Sequence, residues 1–512
     1  MKKIIGRVLV VLPPIALQVL WYVLAFVLLN KIFNGYLLQV ITIVFTVLAV
    51  LFVTHIIGKR DESSYKLLWA IVIVGFPILG AILYLTLGHK STGTKLKKKL
   101  NATSKALIEG KEISSGDEFA KIKNDDVRIG QTLEFINDST GFPVYKNGTS
   151  KYYPFGEDMF ADMCEDLKKA QKFVYIEYFI IQRGKFWDTM VDILAERAAH
   201  GVDVKVMYDD LGSIATYSVK DILDLKDKGI MCIPFNPFFL IKSQLNNRDH
   251  RKIMVIDGQV AYSGGVNLAD EYINEIHPFG RWKDIGFRIT GDAVKSYTYM
   301  FVEFWNAFVK EEDKKIDAFL IKFPEVTYEK DNGYILPYYD SPMRDEHTSN
   351  ILFAEMLSSA TDYVWFYTPY LMLGDALFDA FIRAARRGVD VRIIMPGIPD
   401  KKLVYRLSRS YYPDLVKAGV KVYEYTPGFV HAKGFIADGK VCGIGTVNLD
   451  YRSLFLHFEC NSVFYKADII DEIKKDYLST LDECRYVTEK DVKKNAVGRF
   501  VDDLLKVIAP LL

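Results

Sequence analysis

Cysteine is sparse. Five residues among 512, Cys164, Cys232, Cys442, Cys460 and Cys484, carry no CxxC spacing. An odd, scattered set gives neither a disulfide framework nor a zinc signature; it reads as small core side chains in a reducing compartment. An excess of one charge is also missing: Lys and Arg number 65 against 64 Asp and Glu, a formal net charge of +1. No global basic field therefore recommends the chain to nucleic acid. There is no low-complexity tail.

Apolar residues, by contrast, make up 50 % of the chain and are unevenly spread. Leu9 to Leu29, Tyr36 to Val53 and Leu67 to Leu87 each approach the ~20 apolar residues that span hydrocarbon. Trp21, Tyr22, Tyr36, Tyr65, Trp69 and Tyr84 suit the membrane interface. Three such runs without a small-residue cleavage site argue against a cleaved signal peptide. They predict a transmembrane helical module of two to three helices over residues 1–90. Basic clusters flank the runs: Lys2, Lys3 and Arg7; Lys59, Arg60 and Lys66; and Lys90, Lys95, Lys97, Lys98 and Lys99. With three spans the first and last clusters fall on opposite sides, against the positive-inside rule. The last is the densest and decides: the rest of the chain faces the cytoplasm, in a multi-pass protein of the plasma membrane. A half-inserted first run removes the conflict.

At 512 residues the chain exceeds one ordinary core. Residues 91–135, rich in Lys, Ser and Asp with little periodicity, read as a juxtamembrane linker, its lysines either near anionic headgroups or simply solvated. Beyond it the pattern is α/β. Phe173 to Ile180 is a continuous β-rich run, Asp188 to His200 has helical period and ends at Gly201, and Val202 to Tyr208 is the next strand. The pattern then recurs. Ala198-Ala199-His200-Gly201-Val202-Asp203-Val204 has a counterpart in Ala384-Ala385-Arg386-Arg387-Gly388-Val389-Asp390-Val391, and Asp362 to Tyr370 repeats the preceding strand. So long a period means a duplicated α/β unit, with copies over residues 136–315 and 316–490, able to close on each other and share one site. Residues 491–512 form a terminal amphipathic helix. Its apolar positions, interleaved with Arg499, Asp502, Asp503 and Lys506, suit either the membrane surface or docking onto the domain.

Each copy holds one His-x-Lys-x4-Asp string: His250, Lys252 and Asp257 in the first, His431, Lys433 and Asp438 in the second. Each is followed by a Gly-rich turn and an Asn, Gly264-Gly265-Val266-Asn267 and Gly445-Thr446-Val447-Asn448. His and Lys two apart on a strand share a face. Glycine lets backbone approach a ligand, and Asn offers donors to an anionic oxygen. Two sets facing each other bring two imidazoles, two ammoniums and two amides around one phosphate diester, where positioning and charge neutralisation do most of the work. A single string arises by chance in about a few per cent of chains this long and is most simply a surface strand with a stray His. Two, in equivalent copies with the same tail, are not accidental.

These strings resemble the paired motifs of the phospholipase D superfamily, and the similarity is greatest to its bacterial cardiolipin synthases. It covers most of the chain. Lys59-Arg60-Asp61 with Tyr65 to Leu68, Pro77 to Gly80 and Leu83-Tyr84 resembles that family's amino-terminal hairpin. Tyr208 to Ser213, Trp282-Lys283-Asp284, Thr368-Pro369-Tyr370, Pro399 to Lys402, Ser408 to Tyr412 and Tyr423 to Lys433 resemble its two halves, and Pro510-Leu511-Leu512 its end. Gly265 and Thr446 stand where the family's motif tail has Ser, His457 where it has Asn before Phe-Glu, and Asp249 where it has Asn before the first motif His. These departures bear on substrate preference more than on activity, since both motif sets are intact.

The resemblance implies two α/β/α sandwiches sharing one active site behind the membrane module. It implies transfer of a phosphatidyl group from one phosphatidylglycerol to another, giving cardiolipin and glycerol through a phosphohistidine, with no cofactor and no metal. His250 is then the nucleophile and His431 the acid/base. Lys252, Lys433, Asn267 and Asn448, with Gly265 and Thr446 beside them, bind phosphate oxygens. Asp257 and Asp438 complete the catalytic strings while serving the motif's structure. A neutral imidazole needs a carboxylate to hold its tautomer, and the candidates are Asp284 and Glu459, downstream in each copy. His457 reads as a packing residue. The membrane module favours lipid over nucleic acid. A membrane phospholipase D releasing phosphatidic acid is the first alternative, and a non-catalytic lipid-binding protein the second.

Overall fold

The computed structural model describes residues 36–88, 97–100, 117–146, 148–237, 246–310, 315–317, 321, 323, 333–344 and 346–511. The first apolar run, Leu9 to Leu29, and the first basic cluster lie outside them.

The second apolar run is a helix, Tyr36–Ile57, whose side chains are described at Val40 and from Ile43 onward. The third is not one helix. Pro77 has no N–H to donate and disfavours helical geometry at the residue before it, so the helix Ser63–Gly75 stops. A short helix restarts at Pro77–Leu83 and ends in a π turn, Tyr84–Gly88. Gly80 brings the two pieces together: a Cβ there would lie 2.5 Å from the Val72 carbonyl oxygen. Among the described residues no helix is long and apolar enough to cross a membrane. In the apolar region the described residues hold one helix and this broken hairpin. Tyr84 meets Phe52 and Trp69 edge-on at 5.4 and 5.3 Å between ring centroids, and Tyr65 stacks on Tyr451 of the second copy at 6.0 Å.

The stretch expected to be linker is helical where it is described. Glu118–Asp125 and Val127–Thr140 pair through buried Ile122, Ile129, Leu133 and Ile136. Those four apolar positions, diluted by charge, made a pattern too weak to read as an element. Asp126 caps the second helix, accepting from the Arg128 and Ile129 N–H groups.

The first copy contributes β1 (Ser150–Tyr153), β2 (Phe173–Tyr178), β3 (Asp203–Asp209), β4 (Met231–Phe235), β5 (Lys252–Ile256), β6 (Val260–Gly264), β7 (Arg281–Lys283) and β8 (Gly286–Thr290). The second contributes β9 (Tyr334–Asp340), β10 (Tyr363–Tyr367), β11 (Asp390–Pro396), β12 (Lys421–Tyr425), β13 (Gly428–Val430), β14 (Gly434–Ala437), β15 (Val441–Gly445), β16 (Glu459–Tyr465) and β17 (Cys484–Tyr486). The sheet orders β1-β8-β6-β5-β2-β3-β4 and β9-β16-β15-β14-β10-β11-β12 are the same path, β17 extending the second. In both sheets the βαβ strands run parallel (β2-β3-β4, β10-β11-β12) and the motif hairpin antiparallel. The repeated Ala-x-x-Gly-Val-Asp-Val words end the crossover helices, at Gly201 in one copy and Gly388 in the other, both with left-handed backbone (φ 89° and 93°) that only glycine adopts cheaply.

The copies interlock. β7 of the first pairs in parallel with β13 of the second, Trp282 opposite Phe429 and Lys283 opposite Val430. Asp249 bridges Phe458 in the same sense. One hydrophobic cluster runs through both halves, with the buried helix Val294–Phe308 (Tyr297, Phe301, Phe304, Trp305) wedged between them. The terminal helix, Ala496–Ile508, docks on the second copy: Leu505 and Ala509 pack with Met372, Val404 and Leu407.

Candidate active site

Neither motif histidine lies in its strand. β5 begins at Lys252 and β14 only after Lys433, so His250 and His431 sit on the extended segments that lead in. Those segments are the ones that interlock. The His431 N–H donates to the Lys283 carbonyl at 2.7 Å, and the His250 N–H to the Phe458 carbonyl at 2.9 Å. Each histidine is thus laid beside the residue preceding the other copy's acid. The result is a crossed pairing. His250 Nδ1 is 2.9 Å from Glu459 Oε2, and His431 Nδ1 is 2.7 Å from Asp284 Oδ2. Both acids are fully buried. Each candidate carboxylate orients the histidine of the opposite half, not its own.

The ammoniums close on the same space. Lys252 Nζ donates to the His250 carbonyl at 2.7 Å; Lys433 Nζ contacts the His431 carbonyl and lies 2.7 Å from its Nδ1. Burial, then the neighbouring Lys252, holds the His250 imidazole well below the ordinary histidine value, with Lys433 and His431 of the other motif adding to it. Burial and Lys433, then Lys252, do the same to His431. Each motif's charges act on the other's histidine, so the two motifs share one electrostatic environment. Burial also pulls Lys252 down to about 8 and Lys433 to about 7, and pushes Asp284 up to about 7 against the Lys433 ammonium. Around neutrality the imidazoles are uncharged; an Nδ1–H that donates to the acid leaves the Nε2 lone pair for chemistry.

The Gly-rich tails differ for a reason seen here. Thr446 Oγ1 donates to Glu459 Oε2. At Gly265 a Cβ would lie 2.0 Å from Asp284 Oδ1: the shorter acid occupies the room that a side chain at this position would fill. The amides are partly committed. Asn267 accepts from the Ile180 N–H and donates to the Tyr272 hydroxyl at 2.8 Å, while Asn448 donates to Asp450 at 2.9 Å and keeps its buried Oδ1 unpaired among the described residues.

Asp257 and Asp438 stand apart from this cavity. Both have left-handed backbone (φ 53° and 49°), opening the Asp-Gly turns after β5 and β14. Asp257 accepts from the N–H groups of Gln171, Lys172 and Phe173, and Asp438 from those of Thr361, Asp362 and Tyr363. They tie the motif hairpin to the strand beside it, which removes them from the catalytic group in which the strings placed them. The middle residue of the first motif is also structural. Arg251 lies fully buried between Glu177 and Asp249, over the Phe304 ring at 3.5 Å. Asp249 therefore serves Arg251 rather than the cavity.

Of the neighbouring rings, Phe179 and Tyr272 had no sequence signal. Phe179 meets the His250 ring at 4.9 Å, Tyr272 and Trp282 meet His431 at 5.2 and 5.5 Å, and His457 lies 5.9 Å from His250, buried. Arg248 pairs in the interior with Asp209 at 2.9 Å and fixes the segment before the first motif.

A family model described as cardiolipin synthase, phospholipase D-like domain, matches residues 163–278 and 353–480, one block on each copy, and a phospholipase D-nuclease amino-terminal model matches 47–89. A cardiolipin synthase of Geobacillus sp. is 31% identical, covering 97% of this chain and 99% of its own. The chain belongs to the cardiolipin synthase family of phospholipase D-like proteins. An uncharacterized protein of Streptococcus mutans is 40% identical over 90% of this chain and 99% of its own, and a cardiolipin synthase of Staphylococcus aureus 30% identical over 95% and 97%. Among solved structures, a phosphatidylserine synthase of Haemophilus influenzae superposes with a TM-score of 0.55 at 15% identity, over 75% of this chain and 98% of its own. That likeness shows a common fold. The two blocks of the cardiolipin synthase family match fall on the two sheets that carry the interlocked motifs.

Proposed function

We propose that this chain is a cardiolipin synthase, a phosphatidyltransferase acting on phospholipids, with phosphatidylglycerol as donor and acceptor. The observation that carries the chemistry is the crossed pair of buried histidine–carboxylate contacts around two buried ammoniums. His250 attacks the phosphorus of one phosphatidylglycerol and forms a P–N bond, and the bond to the glycerol headgroup breaks. His431, protonated at Nε2 once the anionic diester is bound and supported as an imidazolium by Asp284, gives that proton to the departing alkoxide and is left neutral. A second phosphatidylglycerol then offers a hydroxyl, which His431 deprotonates; its oxygen attacks phosphorus, the P–N bond breaks and cardiolipin leaves. Splitting one displacement into two lowers each barrier, and Lys252, Lys433, Asn267 and Asn448 neutralise and hold the phosphoryl oxygens. His250 is assigned as nucleophile by family resemblance, which places it first.

We place the chain at the plasma membrane, held by its amino-terminal apolar segments as a multi-pass protein with the duplicated domains in the cytoplasm. The lysines at 97–99 carry that orientation. The units are 1–90, 91–135, 136–315, 316–490 and 491–512, with residues from 118 on packing as part of the folded body. Purified protein in phosphatidylglycerol vesicles is expected to yield cardiolipin and free glycerol in equal amounts. Phosphatidic acid without cardiolipin would assign the chain to the membrane phospholipases D instead, and no product at all would favour lipid binding without turnover.

A further inference from the structure

The terminal helix Ala496–Ile508 is apolar on two sides. One side is used: Val501, Leu505, Ile508 and Ala509 pack on the second copy, and buried Asp502 pairs with Arg406 at 3.2 Å and with Lys494. The other side is bare. Val497, Phe500 and Leu504 follow one stripe and are 72, 70 and 57 % exposed. Burying such side chains is favourable and exposing them together is not. The stripe has neighbours of its own kind. The adjacent helix Lys402–Ser410 exposes Leu403, and the terminal helix also contacts the helix Ser63–Gly75, whose Leu67, Ile71 and Val74 are exposed. From Leu67 to Gly88 the sequence holds no charged residue.

We infer that Val497, Phe500 and Leu504, with Leu403 beside them, form a foot that rests in an anionic phospholipid bilayer and holds the mouth of the catalytic cavity against it. Two further observations favour a bilayer over a protein. The terminal helix touches the first helix of the uncharged apolar hairpin, and the two helices that carry the stripe also carry Lys402, Arg499 and Lys506. An amphipathic helix of this composition lies in the interface plane and gains from anionic headgroups. Rings link the helix to the site. Tyr370 packs against the cluster that seats the helix, donates to Asp400 at 2.6 Å and lies 6.3 Å from Phe429, which lies 6.0 Å from His431. This rests on the phospholipid reading above but not on which product forms.

The test uses the full chain reconstituted in vesicles of phosphatidylglycerol and phosphatidylcholine. In a Cys484→Ser background, where the remaining cysteines are buried, an environment-sensitive dye is attached at Phe500→Cys, at Leu504→Cys and, as reference, at Val219→Cys on the outer face of the first copy. Lipids carrying a quencher at shallow depth are expected to quench the dye at 500 and 504 at least fivefold more than at 219. Equal quenching at all three sites overturns the inference. So does a dye at 500 and 504 shielded from aqueous iodide without lipid quenching, since a protein segment then covers the stripe. The surface triple variant Val497→Ser, Phe500→Ser, Leu504→Ser should lose tenfold or more of its turnover in vesicles and keep it on short-chain monomeric substrate; equal loss on both overturns the inference. A phosphatidic acid product with quenching intact would reject the synthase reading and leave the foot standing.

Discussion

At the scale of residues, the site is held by burial against charge. Lys252 and Lys433 stand at about 8 and about 7, so the free enzyme loses the ammoniums proposed to bind phosphate as pH rises through that range. The kcat/KM profile is expected to begin its alkaline fall near pH 7, where Lys433 loses its proton, and to steepen near pH 8 with Lys252. The kcat profile should fall at higher pH, because a bound phosphate anion favours the charged amine; coincident limbs would contradict this. The Asp284 carboxyl, raised from 3.8 to about 7, holds its proton more tightly in the folded state. Its stability contribution is therefore present below pH 4 and lost as pH rises through 7. Asp284→Asn should flatten the dependence of the urea midpoint on pH between those values, while turnover falls on the order of 10²–10⁴-fold through the misoriented His431.

At the scale of elements, the Gly-rich tail and the Asp-Gly turn carry separate jobs. Gly265→Ser drives a side chain into Asp284 and should lower kcat by about 10²-fold or more with folding retained, as misplacement by ~1 Å does in such sites. Thr446→Ser keeps the hydroxyl on Glu459 and should cost little. Equal effects of the two substitutions would contradict the asymmetry. Asp257→Ala leaves three backbone N–H groups without their acceptor and should destabilise by about 1–3 kcal/mol in urea unfolding, with near-normal KM in the folded fraction.

Much of this was legible because the repeated words carry their own physics. The crossover helices ending at Gly201 and Gly388, the alternation of strand and helix, and the two His-x-Lys strings all follow from periodicity and glycine geometry. Less was legible where two copies meet. Nothing in the order Asp284, His431, Glu459 says that each acid serves the opposite half; that depends on β7 lying beside β13, a pairing between distant short segments. The helices over 118–140 were missed because four apolar residues among charges make a weak period. The third apolar run read as a span because Pro77, one residue in an otherwise continuous apolar stretch, decided its breakage.

On the scale of the molecule, duplication makes a single site and not two. Covalent trapping tests this most directly. Wild-type protein is mixed with labelled phosphatidylglycerol, quenched in alkali to preserve a phosphoramidate, digested and mapped. The prediction is one label per chain, on His250, and its loss in Glu459→Gln, a substitution in the other half. Labels on both His250 and His431 of the same chain, or a His250 label indifferent to Glu459→Gln, would contradict it.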